Sequence, residues 1–209
     1  MNSLRSTTVK SAVYASLLGA LVAIVLYVLS TWFFNAKNKQ TLIQSTELGK
    51  VSDGEVVFPI GAKLPELSFT DMLSQKNYVL SKDPLKIKIV NFWASWCEPC
   101  VEEFSSFARL VRKFEGRVSF VGINEDKTVE VAKEFLEAFS VDFKGLSGVY
   151  FGFDEGKKLS DRYGILALPE SFLIDPEGKL IRRVSGFEKW DSPGAIEYFE
   201  SLLKKYEGL

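Results

Sequence analysis

IKIVNFWASWCEPCVEEFSSFARLVRKF, running from Ile87 to Phe114, decides the fold and points to the chemistry. Ile87 to Trp93 is an apolar run of the kind that forms a central parallel strand, buried on both faces. Val101, Phe104, Ala108, Val111 and Phe114 fall near helical spacing and predict one buried helix face. Between strand and helix stand Trp96, Cys97, Glu98, Pro99 and Cys100, and the chain has no other cysteine. A strand that delivers C-x-x-C to the start of a helix has the layout of a thiol–disulfide redox centre. Two intervening residues let the sulfurs close a disulfide within one helical turn. The first sulfur then sits at the helix N-terminus, where free N–H groups and the helix dipole stabilise a thiolate. The thiolate is the species that attacks a disulfide.

Other readings of the pair are weaker. Zinc calls for about four ligands, and the chain offers two cysteines and no histidine. No metal or other cofactor is expected beyond the redox-active cysteines themselves. A peroxidatic cysteine wants a threonine three residues upstream, where Ala94 stands. A chance pair of core cysteines is opposed by the flanking strand and helix signals. Composition, 46% hydrophobic and 25% charged with a net charge of −1, fits one folded domain with appendages. Near-neutral charge gives no support for nucleic-acid binding.

The stretch from Ile89 to Cys100 resembles the active-site strand and turn of the thioredoxin superfamily. A second stretch, YGILALPESFLID from Tyr163 to Asp175, is similar to the segment that carries the superfamily's cis-proline. The two motifs lie farther apart than in a minimal thioredoxin. The extra length between them is similar to the membrane-anchored TlpA, ResA and CcmG (DsbE) group. GAKLPELSF, Gly61 to Phe69, resembles the G-x-x-x-P opening of that group's extra N-terminal hairpin. The likeness covers residues 58–205. It implies an α/β, thioredoxin-like fold: a central mixed β-sheet flanked by helices, with an N-terminal hairpin and a central insertion.

The resemblance also implies roles. Cys97 is the exposed attacking thiol and Cys100 the more buried resolving thiol. Trp96 either shields the site or packs as a surface aromatic. Pro99 stiffens the turn and starts the helix where no N–H is needed. Glu98 opposes thiolate formation beside the sulfur, recognises a basic substrate group, or is a solvated helix-start acid. A cis bond at Pro169 puts the Leu168 backbone beside the sulfurs, where a substrate strand can pair with it. Glu170, after the proline as in the cytochrome-maturation branch, is a candidate substrate contact. Asn91 departs from thioredoxin, which has a buried aspartate six residues before its first cysteine. Asn91 does not titrate, so proton handling passes to Glu125, Asp126 or water.

The expected partner is a protein disulfide, foremost the C-x-x-C-H disulfide of apocytochrome c. The resemblance further implies a membrane electron donor of the CcdA or DsbD kind. Two alternatives stay open: a general envelope disulfide oxidase or reductase, and a redox-inert peptide-binding module that the intact C-x-x-C opposes.

Residues 11–34 contain no charged side chain. That is long enough for a transmembrane helix, which needs about 20 residues. Trp32, Phe33 and Phe34 make a poor signal-peptide cleavage site, so an uncleaved signal-anchor is expected over a cleaved one. Residues 1–10 then form a cytoplasmic tail, 35–55 a polar linker, and 56–209 a domain facing the periplasm or other extracytoplasmic space. Lysines and arginines on the two sides of the apolar segment do not decide its orientation; the short tail and the resemblance do. Elsewhere, strands are expected within 56–69, with a hairpin partner at Tyr78–Leu80, and at Val118–Ile123, Phe143–Val149, Ser171–Ile174 and Leu180–Val184. Helices are expected over Val129–Phe139, Lys158–Tyr163 and from Ser192 onward.

Overall fold

The computed structural model describes residues 25–27, 29–30, 50–52, 55–84 and 87–207. The chain divides into two units after Ser45. In the first, residues 25–27 and 29–30 are helical and exposed. The remainder of the anchor expected over residues 11–34, and the tail before it, lie outside the described residues. No helix among the described residues is long and apolar enough to cross a membrane.

The second unit is built on a five-stranded sheet. Its strands are β5 (Ile87–Trp93), β6 (Val118–Asn124), β7 (Val149–Phe153), β8 (Glu170–Ile174) and β9 (Leu180–Ser185), in the order β7-β6-β5-β8-β9. β5, β6 and β7 run parallel, whereas β8 and β9 are antiparallel. Every residue of β5, β6 and β8 is buried, which is why these segments read as near-continuous apolar runs. The helices are α1 (Glu98–Lys113), α2 (Val129–Phe143), α3 (Lys158–Tyr163) and α4 (Pro193–Lys205). Two short hairpins precede the sheet: β1 (Lys50–Ser52) with β2 (Glu55–Val57), and β3 (Ser68–Thr70) with β4 (Asn77–Val79). Strand pairing therefore reaches back to Lys50, inside the segment expected to be a loose linker.

Alternation along β5 builds two cores. Ile87, Ile89 and Trp93 face one side, with Phe104, Phe107, Leu110 and Val111 of α1 and Phe199, Leu202 and Leu203 of α4. Val90 and Phe92 face the other, under Leu64, Leu67, Tyr78 and Tyr163. By the same period Asn91 belongs to the α1 side. The edge of β7 is covered: Met72 N–H donates to the Phe151 carbonyl, and Phe151 N–H donates to Asp71 Oδ1. This blunts an edge that would otherwise pair with other chains.

One element differs from its expected type. Phe143 ends α2 instead of opening a strand, and β7 starts at Val149. The cause is tertiary. From the helix, Phe143 reaches an aromatic cluster, with ring centroids 5.8 Å from Phe104 and 5.3 Å from Phe151. A turn through Gly148, at φ 74°, then redirects the chain. α4 opens as its sequence predicts: Ser192 Oγ accepts from Ala195 N–H, and Pro193 stands in the first turn.

Candidate active site

Cys97 caps the N-terminus of α1 with extended backbone, and its carbonyl accepts the first helical hydrogen bond from Val101 N–H. Cys97 and Cys100 form a disulfide across a Cα–Cα distance of 5.2 Å. Cys100 is 1% exposed, and Cys97 is 5% exposed. The order of burial follows expectation, but the expected open exposure of Cys97 does not hold with the disulfide closed. Its sulfur is bonded inward to Cys100. The outward surface belongs to Trp96, Glu98 and Pro99, all exposed.

The turn before Cys97 is fixed from β6. Asp126 accepts the Ser95 N–H at 3.2 Å and the Ser95 hydroxyl at 2.9 Å, while Asn124 donates to it at 2.8 Å. Asp126 is thus committed to shaping the turn. Glu125 accepts from the Ser160 hydroxyl at 2.7 Å and pairs with Lys157 at 3.2 Å. These two carboxylates, expected as proton handlers, both have structural partners.

A third carboxylate is arranged differently. Glu103 lies three residues after Cys100, on the same face of α1, and is 1% exposed. Its Oε1 accepts from Glu188 N–H at 2.6 Å and from the Trp190 indole N–H at 3.2 Å. Its Oε2 has no partner among the described residues, and neither does the Asn91 Oδ1. Asn91 Nδ2 donates to the Ser171 hydroxyl at 2.9 Å. Burial pushes the Glu103 carboxyl from its ordinary 4.5 up to about 7, against the lowering effect of the two N–H donors and the Asn91 side chain. A neutral Glu103 has an O–H to offer; an ionised one leaves a buried acceptor orphaned. Such a group can exchange a proton with a sulfur one turn away near neutral pH. Sequence reasoning passed over Glu103. The signal was an acid in register with the apolar stripe of Cys100, Phe104 and Phe107.

The second motif comes to the same end of the sheet. Phe92 of β5 pairs with Glu170 of β8, so Pro169 lies level with the strand end that leads to Cys97. The Leu168–Pro169 bond is cis. Leu168 packs against both cores, and the Pro169 carbonyl accepts from Gly186 N–H at 2.8 Å. Glu170 is buried, and its Oε1 accepts from Arg183 Nε at 2.8 Å and from the Ser185 hydroxyl at 2.7 Å. The expected substrate contact by Glu170 is therefore not what its side chain is arranged for: two internal donors occupy it. Trp96, Leu166 and Phe187 are exposed large apolar side chains on the loops around this end. Among the described residues no cluster of His, Cys, Asp and Glu is able to hold a metal ion.

Comparison with known proteins agrees with this geometry. The AhpC/TSA family model matches residues 60–183. The thiol-disulfide oxidoreductase ResA of Bacillus anthracis is 32% identical over 149 residues, 70% of this chain and 78% of that protein. The thiol:disulfide interchange protein HelX of Rhodobacter capsulatus is 30% identical over 155 residues, 74% of this chain and 77% of that protein. A DsbE-type thiol:disulfide interchange protein of Chlorobium tepidum superposes with a TM-score of 0.57 at 26% identity, covering 71% of this chain and 97% of that one. With its C-x-x-C disulfide at a helix start and its cis-proline loop beside it, the chain belongs to the AhpC/TSA family and is a thioredoxin-like thiol–disulfide oxidoreductase.

Proposed function

We propose that this oxidoreductase is a membrane-anchored reductase on the extracytoplasmic side of the inner membrane, serving cytochrome c maturation. Its substrate is the C-x-x-C-H disulfide of apocytochrome c, and a membrane donor of the CcdA or DsbD kind regenerates it. The Cys97 thiolate attacks the substrate disulfide, forms a mixed disulfide and releases one substrate thiolate. Cys100 then attacks the Cys97 sulfur, closes the Cys97–Cys100 bond and releases the second thiolate. Two electrons pass from the dithiol to the substrate, and both substrate sulfurs leave as thiolates that take protons. Glu103 is suited to take the Cys100 proton as that sulfur becomes the nucleophile.

The observation that carries the reading is the buried Glu103 one helical turn after Cys100. It supplies a proton acceptor where Asn91 replaces the thioredoxin aspartate, as expected of the specialised group and not of a general thioredoxin. Trapping tests it. In native membranes Cys100→Ser is expected to accumulate a mixed disulfide with an apocytochrome c. Capture of unrelated envelope proteins alone would favour the general oxidoreductase. A measured potential sharpens the answer: reductants lie near or below about −230 mV and strong oxidants near about −120 mV.

A further inference from the structure

Gly164 and Glu170 mark the two ends of the loop that carries Leu166, Ala167, Leu168 and Pro169. One side chain reaches both. Arg183 donates from Nε to Glu170 Oε1 at 2.8 Å and from Nη2 to the Gly164 carbonyl at 2.9 Å. Its guanidinium also lies over the Phe172 ring, 5.4 Å from the centroid. Strand register puts it there. Phe172 pairs with Arg183 and Glu170 with Ser185, so the four side chains share one face of the sheet. The Arg183 side chain is 20% exposed and that of Glu170 5%, so salt screens the pair little. Gly164 is closely backed by Val56. It sits at φ 66°, and a methyl group there would run into the Val56 carbonyl oxygen. Two main-chain bonds anchor the same loop: Ile165 N–H to the Ser160 carbonyl at 2.9 Å and Gly186 N–H to the Pro169 carbonyl at 2.8 Å.

We propose that Arg183 and Glu170 form a strap that sets the pose of the 164–170 loop for protein disulfides. Both are positioning residues, and neither touches the substrate. The inference rests on reading the site as a thiol–disulfide exchange centre with this loop as one substrate-facing wall. The loop residues Ile165 to Pro169 carry no polar side chain, so the loop cannot brace itself. An arginine braces it because its planar fork holds two acceptors at fixed geometry, which an ammonium cannot do. A folded or peptide substrate must lie along the loop. A small disulfide needs only the sulfur.

The experiment uses the full chain. Arg183→Met is expected to lower kcat/KM for a disulfide-bonded peptide about tenfold, the size of one charge-assisted hydrogen bond. The loss should fall mainly in KM, with the rate against a small aromatic disulfide unchanged. Arg183→Lys should fall between wild type and Arg183→Met. Glu170→Ala should lose as much as Arg183→Met, and the double variant no more than either, because both cut one tie. Amide hydrogens of Ile165 and Gly186 should exchange faster in Arg183→Met, while those of Ile89 to Phe92 stay protected. Equal losses with both substrates, additive losses, or unchanged protection at Ile165 and Gly186 would each overturn the strap. A wild-type chain that reacts with the small disulfide but with no disulfide-bonded peptide would instead overturn the protein-disulfide reading. The strap would then stand or fall on the two amides.

Discussion

Two buried glutamates lie close in sequence to the two motifs of the site, Glu103 one helical turn after Cys100 and Glu170 next to Pro169, and their surroundings use them differently. Glu103, on α1, receives two N–H donors on one oxygen and has no partner among the described residues on the other. Glu170, on β8, faces a guanidinium and a hydroxyl. Burial penalises charge in both places. Where a full positive charge compensates, the carboxylate becomes scaffold. Where only neutral donors compensate, burial raises the carboxyl to about 7, which suits it to carry a proton. Depth alone does not assign a role to a buried acid; the charge of its partner does.

The largest effect comes from removing the centre that both regions serve. Cys97→Ser should abolish disulfide exchange, and wild-type turnover in that variant would show that the nucleophile is misassigned. Next comes the α1 side alone. Glu103→Gln keeps the size and the acceptor but not the proton, so exchange near pH 7 should fall by about a hundredfold, typical of losing a general base. Single-turnover rates against pH would read it, with the wild-type inflection near 7 gone from the variant. An inflection that survives would assign that titration to another group.

Stability gives a third test, and its sign is opposite to the usual carboxylate case. The folded carboxyl titrates near 7 and the unfolded one near 4.5, so between these values the folded chain holds a proton that the unfolded chain has released. The contribution is whole below about pH 4.5 and is lost as pH rises through about 7. Its size is on the order of 3 kcal/mol. Urea midpoints of the oxidised protein should fall across this window, and Glu103→Gln should remove most of that fall. A variant with the wild-type slope would contradict the assignment.

Trp190→Phe sharpens the contrast further by deleting one neutral donor. The Glu103 inflection should move upward by up to about one unit, and a downward move would mean that the indole N–H does not serve the ionised carboxylate. The smallest expected effect is at Glu98, which is exposed at the first turn of α1. Glu98→Gln should raise the thiolate fraction of Cys97 in the reduced protein less than about threefold, because a solvated charge is screened. Alkylation rates at fixed pH would measure it; an unchanged rate would leave Glu98 no electrostatic part in the centre.

Much of this was legible in the chain because it is local. The C-x-x-C pair, the apolar run before it and the amphipathic stretch after it sit within Ile87–Phe114, so spacing alone fixes their relation. Phe143 was not legible, because an apolar residue after a helical stripe fits a strand as well as a last helical turn until the aromatic cluster decides. Glu103 reads in sequence as one more acid on a helix carrying Glu98 and Glu102. Its depth depends on the loop from Glu188 to Trp190 folding over it from the far end of the chain.

From sequence alone came the redox pair, the strand that delivers it and the helix caps, since each is a matter of residues a few positions apart; the proline loop came from the thioredoxin-superfamily resemblance. Only the tertiary structure decided which acids matter and how. Asn91, Glu103 and Trp190 meet across β5, α1 and the loop before α4, while Gly164, Glu170 and Arg183 meet across α3, β8 and β9. A carboxylate's function follows from its desolvation and the charge of its partners, and both are set by contacts between residues far apart in the chain.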